Sequence, residues 1–70
     1  MKATIIIEGC QGNYSCYMVE ELPHCALLGY GNTVEECKKD LLTAYDELQE
    51  IGAAEGWQLP ELEYEWRMVS

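Results

Sequence analysis

Cationic side chains are scarce in this chain. Its 70 residues contain four Lys and Arg against thirteen Asp and Glu, which gives a formal net charge of −9. A protein that holds DNA or RNA needs clusters of Lys and Arg to neutralise phosphates, and an acidic field repels them. The composition therefore argues against direct nucleic-acid binding. It favours a basic protein partner instead, because opposite charges accelerate the encounter of two proteins.

Long apolar runs are also absent. The first apolar segment, Ala3 to Ile7, is followed at once by Glu8, so it is too short for a signal peptide or a membrane-spanning helix. We therefore expect a cytoplasmic protein with no membrane association. In that compartment the cysteines are predicted to be reduced thiols rather than disulfides. They are Cys10, Cys16, Cys25 and Cys37.

The sequence has one histidine and no spacing typical of a metal or catalytic site. Neither His24 nor any cysteine belongs to a pair of ligands roughly two to four residues apart of the kind that binds zinc. A Cys–His nucleophile would also need a third partner and an oxyanion site, and no motif for either is present. We predict no catalytic residue, no metal and no cofactor, and we expect that the protein is not an enzyme.

Alternating apolar and polar residues predict four strands. Residues 2–8 and 13–19 form a hairpin, and residues 26–28 form a short third strand that ends in a glycine-containing turn. Residues 61–68 alternate strictly, which predicts one packed face and one solvated face. The packed face carries Leu62, Tyr64, Trp66 and Met68, and the solvated face carries Glu61, Glu63, Glu65 and Arg67.

One helix is predicted between the third and fourth strands. Thr33 and Glu36 have the spacing of a capping box, so the helix begins at Val34. Gly56 suits the position after its last residue, which places its end near Glu55. The apolar stripe is predicted to contain Cys37, Leu41, Ala44, Tyr45, Leu48 and Ile51.

These elements predict one α+β domain, residues 1–70, with the order βββαβ. One helix lies across one face of a mostly antiparallel sheet. A domain of this size buries only about 60% of its unfolded surface, so its core leaves little surplus stability. We therefore expect a homodimer or a larger even oligomer, formed by pairing an open sheet edge or by burying exposed aromatic side chains.

Residues 22–36 carry a family resemblance. The elements are Leu22-Pro23-x-Cys25, a short strand, Gly29 and Thr33-x-Glu35-Glu36 at the start of a helix, preceded by a hairpin with an isoleucine-rich first strand. In this combination the chain resembles the HicB-like antitoxins of bacterial toxin–antitoxin systems. The resemblance covers roughly residues 2–55, and the last strand matches in position and pattern. Many members add a ribbon–helix–helix or helix-turn-helix module that is not found in these 70 residues, so operator binding is not implied.

The resemblance implies a partial ribonuclease-H-like fold without catalytic carboxylates. It also implies a function: binding and occlusion of a small basic RNA-cleaving toxin, HicA. We expect two contact regions, a loop with an apolar anchor beside carboxylates and an acidic strand. The residues of these regions are Glu20, Glu21, Leu22, Pro23 and His24 in the loop, and Glu61, Glu63 and Glu65 in the strand.

Two alternatives remain open. Leu22 and Pro23 could pack under the sheet instead of forming an exposed anchor. The chain could also be a self-assembling structural or regulatory module, in which a sheet edge pairs with another copy and no toxin is involved. A small basic reading frame next to the gene would favour the antitoxin over the self-assembling module.

Overall fold

The computed structural model describes residues 1–69, which form one helix and a four-stranded sheet. The strands are β1 (Lys2–Cys10), β2 (Asn13–Met18), β3 (Leu28–Gly31) and β4 (Glu63–Met68), and the helix α1 is Val34–Glu55. The element order is βββαβ, so the predicted α+β class and the single helix are confirmed.

The sheet is mixed, with the strand order β3-β2-β1-β4. β2 pairs antiparallel with both β1 and β3, whereas β4 pairs parallel with β1. The chain leaves one edge of the sheet at β3 and enters the opposite edge at β4, and α1 is the crossover between them. A parallel neighbour requires such a crossover, since a tight turn can join only antiparallel strands.

The core lies between α1 and one face of the sheet. It is built by alternate residues of β1 and β2, by one turn of α1 and by Leu27 just before β3. Its buried side chains are Ala3, Ile5, Ile7, Cys16, Met18, Leu27, Cys37 and Leu41.

The helix begins and ends where the sequence predicted. Thr33 Oγ1 accepts a hydrogen bond from the Glu36 N–H at 3.1 Å, and Gly56 adopts the left-handed conformation with φ 89°. The reciprocal hydrogen bond of the capping box, from the Thr33 N–H to the Glu36 carboxylate, is not among the hydrogen bonds of residues 1–69. The prediction for Ile51 was wrong: it is 48% exposed, and Gly52 takes the buried position because Trp57 packs directly on it.

The third strand begins later than predicted, at Leu28, and the glycines lie inside it rather than in a turn. A Cβ atom on Gly29 would lie 2.7 Å from the Cys37 carbonyl oxygen, and one on Gly31 would lie 2.6 Å from the Cys37 nitrogen. Both glycines therefore face α1 and allow its backbone to approach the strand closely.

All four cysteines are free. Cys16 and Cys37 are buried, and each thiol donates to a backbone carbonyl, Cys16 to Cys37 at 3.5 Å and Cys37 to Gly29 at 3.6 Å. Burial, followed by the hydrogen bond with Cys37, raises the pKa of Cys16 to about 12. Cys10 is exposed, and Cys25 is half-buried with a pKa raised by burial.

We expect these environments to separate the thiols by reactivity, because the thiolate is the reactive form. Under native conditions an aromatic disulfide reagent should modify Cys10 fastest and Cys25 more slowly. Cys16 and Cys37 should react only after denaturant is added. Mass spectrometry of the labelled protein identifies the sites, and rapid native labelling of Cys16 would contradict the buried position of this thiol.

Candidate functional site

The face of the sheet that points away from α1 is uncovered, and we call it the outer face. The strand register places Ile6 beside Tyr17, and Tyr17 beside Leu28, so three neighbouring strands present one apolar row. Val19 follows β2 directly and Tyr30 belongs to β3. Each lies two residues from a member of this row and shares its face, since alternate residues of an extended chain point the same way. We call these five residues the apolar patch.

Most of the apolar patch is open to solvent. Tyr17 is 38% exposed, Leu28 48%, Val19 54% and Tyr30 64%, while Ile6 is half-buried between its neighbours. Single exposed apolar residues are common on protein surfaces, but a contiguous group on one flat face marks an interaction surface. Two tyrosines add rigid aromatic area with a polar end, which suits a protein interface.

Carboxylates lie on the outer face along the β1 and β4 side of the apolar patch, and we call them the acidic rim: Glu8, Glu20, Glu63 and Glu65. Glu20 is held in place, because its carboxylate accepts from the Thr4 N–H at 2.7 Å and from Thr4 Oγ1 at 2.8 Å. Thr4 is an outer-face residue of β1 and pairs with Glu65 of β4. The structure therefore brings Glu20 and Glu65 to the same part of the outer face.

Two cations lie within this rim. Lys2 Nζ is 3.4 Å from Glu65 Oε2, and Arg67 Nη2 is 2.9 Å from the same oxygen. Lys2 also pairs with Glu63 in the strand register. The hydrogen bond from Arg67 is the main cause that lowers the pKa of Glu65. The rim as a whole remains acidic, with four carboxylates and two cations.

The predicted loop anchor is not exposed in the way we expected. Leu22 is half-buried and packs against the core, because the loop folds back toward the helix-facing side of the sheet. Glu21, Pro23 and His24 are exposed. The His24 ring stacks on Trp57 with 4.9 Å between centroids and 20° between planes, so these two residues tie the loop to the segment that follows α1.

The predicted acidic strand is divided in the structure. β4 begins at Glu63, two residues later than predicted, because Glu61 and Leu62 belong to the preceding connection. The Glu61 carbonyl accepts a hydrogen bond from the N-terminal ammonium at 3.0 Å. Glu61 lines an open groove beside α1 together with Leu42, Tyr45 and Leu62. Of the eight predicted contact residues, three carboxylates therefore share the outer face: Glu20, Glu63 and Glu65.

The apolar patch was not predicted, because its members come from three strands and Tyr30 was placed in the turn after the third strand. The signal was present in the sequence. One helix covers only one face of a four-stranded sheet, so apolar residues at the opposite alternate positions, such as Tyr17 and Val19, have no helix to pack against. Leu28 and Tyr30 could be placed there only after Gly29 and Gly31 were known to face α1.

The Glu20 contact produces a specific acid dependence. Its hydrogen bonds from Thr4, backbone first, lower its pKa below the ordinary value of 4.5. A group with a depressed folded-state pKa stabilises the fold above the unfolded-state pKa, and this contribution disappears as pH falls through the folded-state pKa. On acidification from neutral pH to below 4.5, the free energy of unfolding should therefore fall less in Glu20→Gln than in the wild type.

Thermal unfolding, followed by circular dichroism at neutral pH and at a pH below 4.5, measures this difference. Glu21→Gln is the matched control, since Glu21 is the exposed neighbour and has no part in the Thr4 contact. The control should keep the wild-type acid dependence. An identical acid dependence in Glu20→Gln and the wild type would contradict the assignment.

Residues 1–69 contain no group of three or more His, Cys, Asp or Glu side chains that could hold a metal ion. None of their helices is both long and apolar enough to cross a membrane. Every buried side-chain nitrogen or oxygen in this range has a hydrogen-bond partner.

Comparison of the chain with protein-family models, with curated proteins and with solved structures gives no match. The geometry of the outer face and the residues that carry the family resemblance are the features that bear on function.

Proposed function

We propose that this chain is an antitoxin-like protein that binds a small basic RNA-cleaving toxin of the HicA type and neutralises it by occlusion. The observation that carries the proposal is the outer face, where an apolar patch with two tyrosines lies beside an acidic rim. The resemblance of residues 22–36 to the HicB-like antitoxins supplies the class of partner. The protein acts by covering the toxin and performs no chemistry of its own.

The apolar patch supplies the binding energy in this proposal. Interfaces concentrate their affinity in a few central, desolvated side chains, among which tyrosine is enriched. Tyr17 lies in the middle of the patch, between Ile6 on β1 and Leu28 on β3. Tyr30 is the most exposed of the five residues, at 64%, and therefore has the most surface to bury against a partner.

The acidic rim supplies steering and orientation. A net charge of −9 attracts a cationic protein over a distance set by ionic strength, about 8 Å at physiological salt. Rim charges chiefly change the association rate, whereas desolvated central contacts change the dissociation rate. A toxin that cleaves RNA needs a basic surface to hold phosphates, and that surface is complementary to the rim.

Co-expression tests the proposal. The toxin candidate is the product of a small basic reading frame adjacent to the gene of this chain. We expect that this product alone arrests growth, that the chain restores growth, and that the two proteins purify together. If no such frame exists, or if growth is not restored and the proteins do not associate, the antitoxin proposal is wrong.

A self-assembling module with no toxin partner is the second candidate. The observation that favours it is the edge of the sheet formed by β4, which pairs with β1 only. Under this alternative, the chain forms assemblies by itself and the adjacent gene product has no effect on them. The co-expression experiment separates the two functions, because only the antitoxin restores growth.

A further inference from the structure

The β4 edge presents backbone groups to a further strand. The N–H groups of Glu63 and Val69 donate to carbonyls of Met1 and Ile7 at 2.9 and 2.8 Å, so the odd-numbered residues point their N–H groups toward β1. Backbone direction alternates along a strand. The N–H and carbonyl groups of the even-numbered residues from 64 to 68 therefore point away from the sheet, where another strand could bind them.

The opposite edge is partly capped by the helix. The Tyr30 N–H of β3 donates to an Asp40 carboxylate oxygen at 2.9 Å, so a side chain of α1 already occupies a backbone donor of this edge. α1 packs mainly against β3 and secondarily against β2. Within residues 1–69, the outward backbone groups of β4 make no hydrogen bond to the helix, so a second strand can pair with them without displacing one.

The helix-facing side chains of β4 are incompletely covered in one copy. Tyr64 and Trp66 stack on each other with 5.4 Å between centroids, yet both remain half-buried. Met68, on the same face, is 58% exposed. Lys38 Nζ lies 5.4 Å from the centroid of a Trp66 ring. Edge pairing would place further apolar surface against this row and remove it from water.

We propose that two copies of this chain pair antiparallel along β4, with Trp66 opposite Trp66 of the second copy. This register places Tyr64 opposite Met68 on the helix-facing side and Glu65 opposite Arg67 on the outer side. By symmetry each of these two pairs occurs twice. The result is an eight-stranded sheet with both helices on one face and all outward backbone groups of the central residues paired.

Charge complementarity favours this register over the two adjacent registers of the same strand pair. A change of register must keep the outward backbone groups paired and keep each side chain on its own face of the sheet. Both conditions hold only when even-numbered residues remain opposite even-numbered residues. The adjacent register on one side places Glu65 opposite Glu65, between two Glu63–Arg67 pairs, and the one on the other side places Arg67 opposite Arg67. Only the register centred on Trp66 has attractive charge pairs and no like-charge pair. Like charges directly opposite each other on paired strands are destabilising, whereas opposite charges stabilise the pair. The strand is therefore complementary to itself in the register centred on Trp66.

This pairing does not depend on the proposed function. The apolar patch lies on β1, β2 and β3, so it stays accessible when β4 is paired. A dimer would present two patches on one continuous outer face. The chain could therefore form this dimer without binding a toxin, and it could bind a toxin as a monomer.

Sedimentation analysis of the purified chain over a range of micromolar concentrations tests the pairing. The wild type should form a dimer, and Arg67→Glu should raise its dissociation constant at least about tenfold, because two attractive cross-strand pairs become repulsive. The matched control exchanges the two charges, Glu65→Arg with Arg67→Glu, and should restore much of the affinity. High salt should reduce the difference between Arg67→Glu and the wild type, since exposed charges are screened.

Circular dichroism establishes that each variant is folded before it is compared. A wild type that remains monomeric at high micromolar concentration would overturn the proposal. A dimer that Arg67→Glu leaves unchanged would overturn the register, and so would a charge exchange that fails to recover affinity beyond that of Arg67→Glu.

Discussion

Gly29→Ala should lower the free energy of unfolding by about 3 kcal/mol, near the upper end of the usual cost of overpacking. The added Cβ atom would lie 2.7 Å from the Cys37 carbonyl oxygen, 2.8 Å from the Leu41 nitrogen and 2.9 Å from Cys16 Sγ. Two of these atoms belong to the backbone of α1, which cannot turn aside as a side chain can. The helix would have to move away from β3, which would loosen the packing of the buried thiols.

Denaturant unfolding followed by circular dichroism measures this loss. A loss of that size is a large fraction of the stability of a 70-residue domain, roughly 4–10 kcal/mol from the usual value per residue. Asn32→Ala is the control, since Asn32 is exposed just beyond β3 and its removal should change stability by less than about 0.5 kcal/mol. Equal stability of Gly29→Ala and the wild type would show that α1 does not approach β3 as closely as described.

Tyr17→Asp combined with Tyr30→Asp should weaken toxin binding at least about 100-fold if the proposed function is correct. Central aromatic residues of an interface commonly contribute about 2 kcal/mol or more each, and a buried aspartate adds a desolvation cost. Both tyrosines are exposed on the outer face, so the substitutions should leave the fold intact. Binding of the purified toxin candidate, measured by calorimetry, gives the affinity of each variant.

The matched control uses equally exposed apolar residues on α1. Leu42 is 40% exposed and Ile51 is 48% exposed, and neither is near the outer face. Leu42→Asp combined with Ile51→Asp adds the same charge and removes a similar apolar area, and it should retain the wild-type affinity. If this helix variant loses binding and the outer-face variant keeps it, the toxin binds elsewhere on the chain.

The local rules of secondary structure predicted most of the fold. Thr33 and Gly56 define the ends of α1 because each satisfies backbone groups at a helix terminus, and such signals need no knowledge of the tertiary structure. Alternation likewise predicted the hairpin of β1 and β2. The predicted third strand ended too early because glycine usually marks a turn, whereas Gly29 and Gly31 are required here by contact with a helix that follows later in the chain.

The candidate site was only partly predictable. Charge indicated a basic partner, and Glu20, Glu63 and Glu65 do lie together on the outer face. Their association depends on the parallel pairing of β4 with β1 and on the hydrogen bonds of Glu20 to Thr4, neither of which has a local sequence signal. Leu22 followed the alternative that packs it against the core. The apolar patch depends on which face α1 covers, and that is decided by tertiary packing.

Inhibition of the toxin in a purified system tests the central claim most directly. The RNA-cleaving activity of the adjacent basic gene product is measured while the chain is added in increasing amounts. We expect cleavage to fall in proportion to the added chain and to cease near equivalence, and we expect the variant with both tyrosines replaced to inhibit poorly at the same concentrations. Full cleavage in the presence of an excess of folded wild-type chain would contradict the claim that the outer face occludes the toxin.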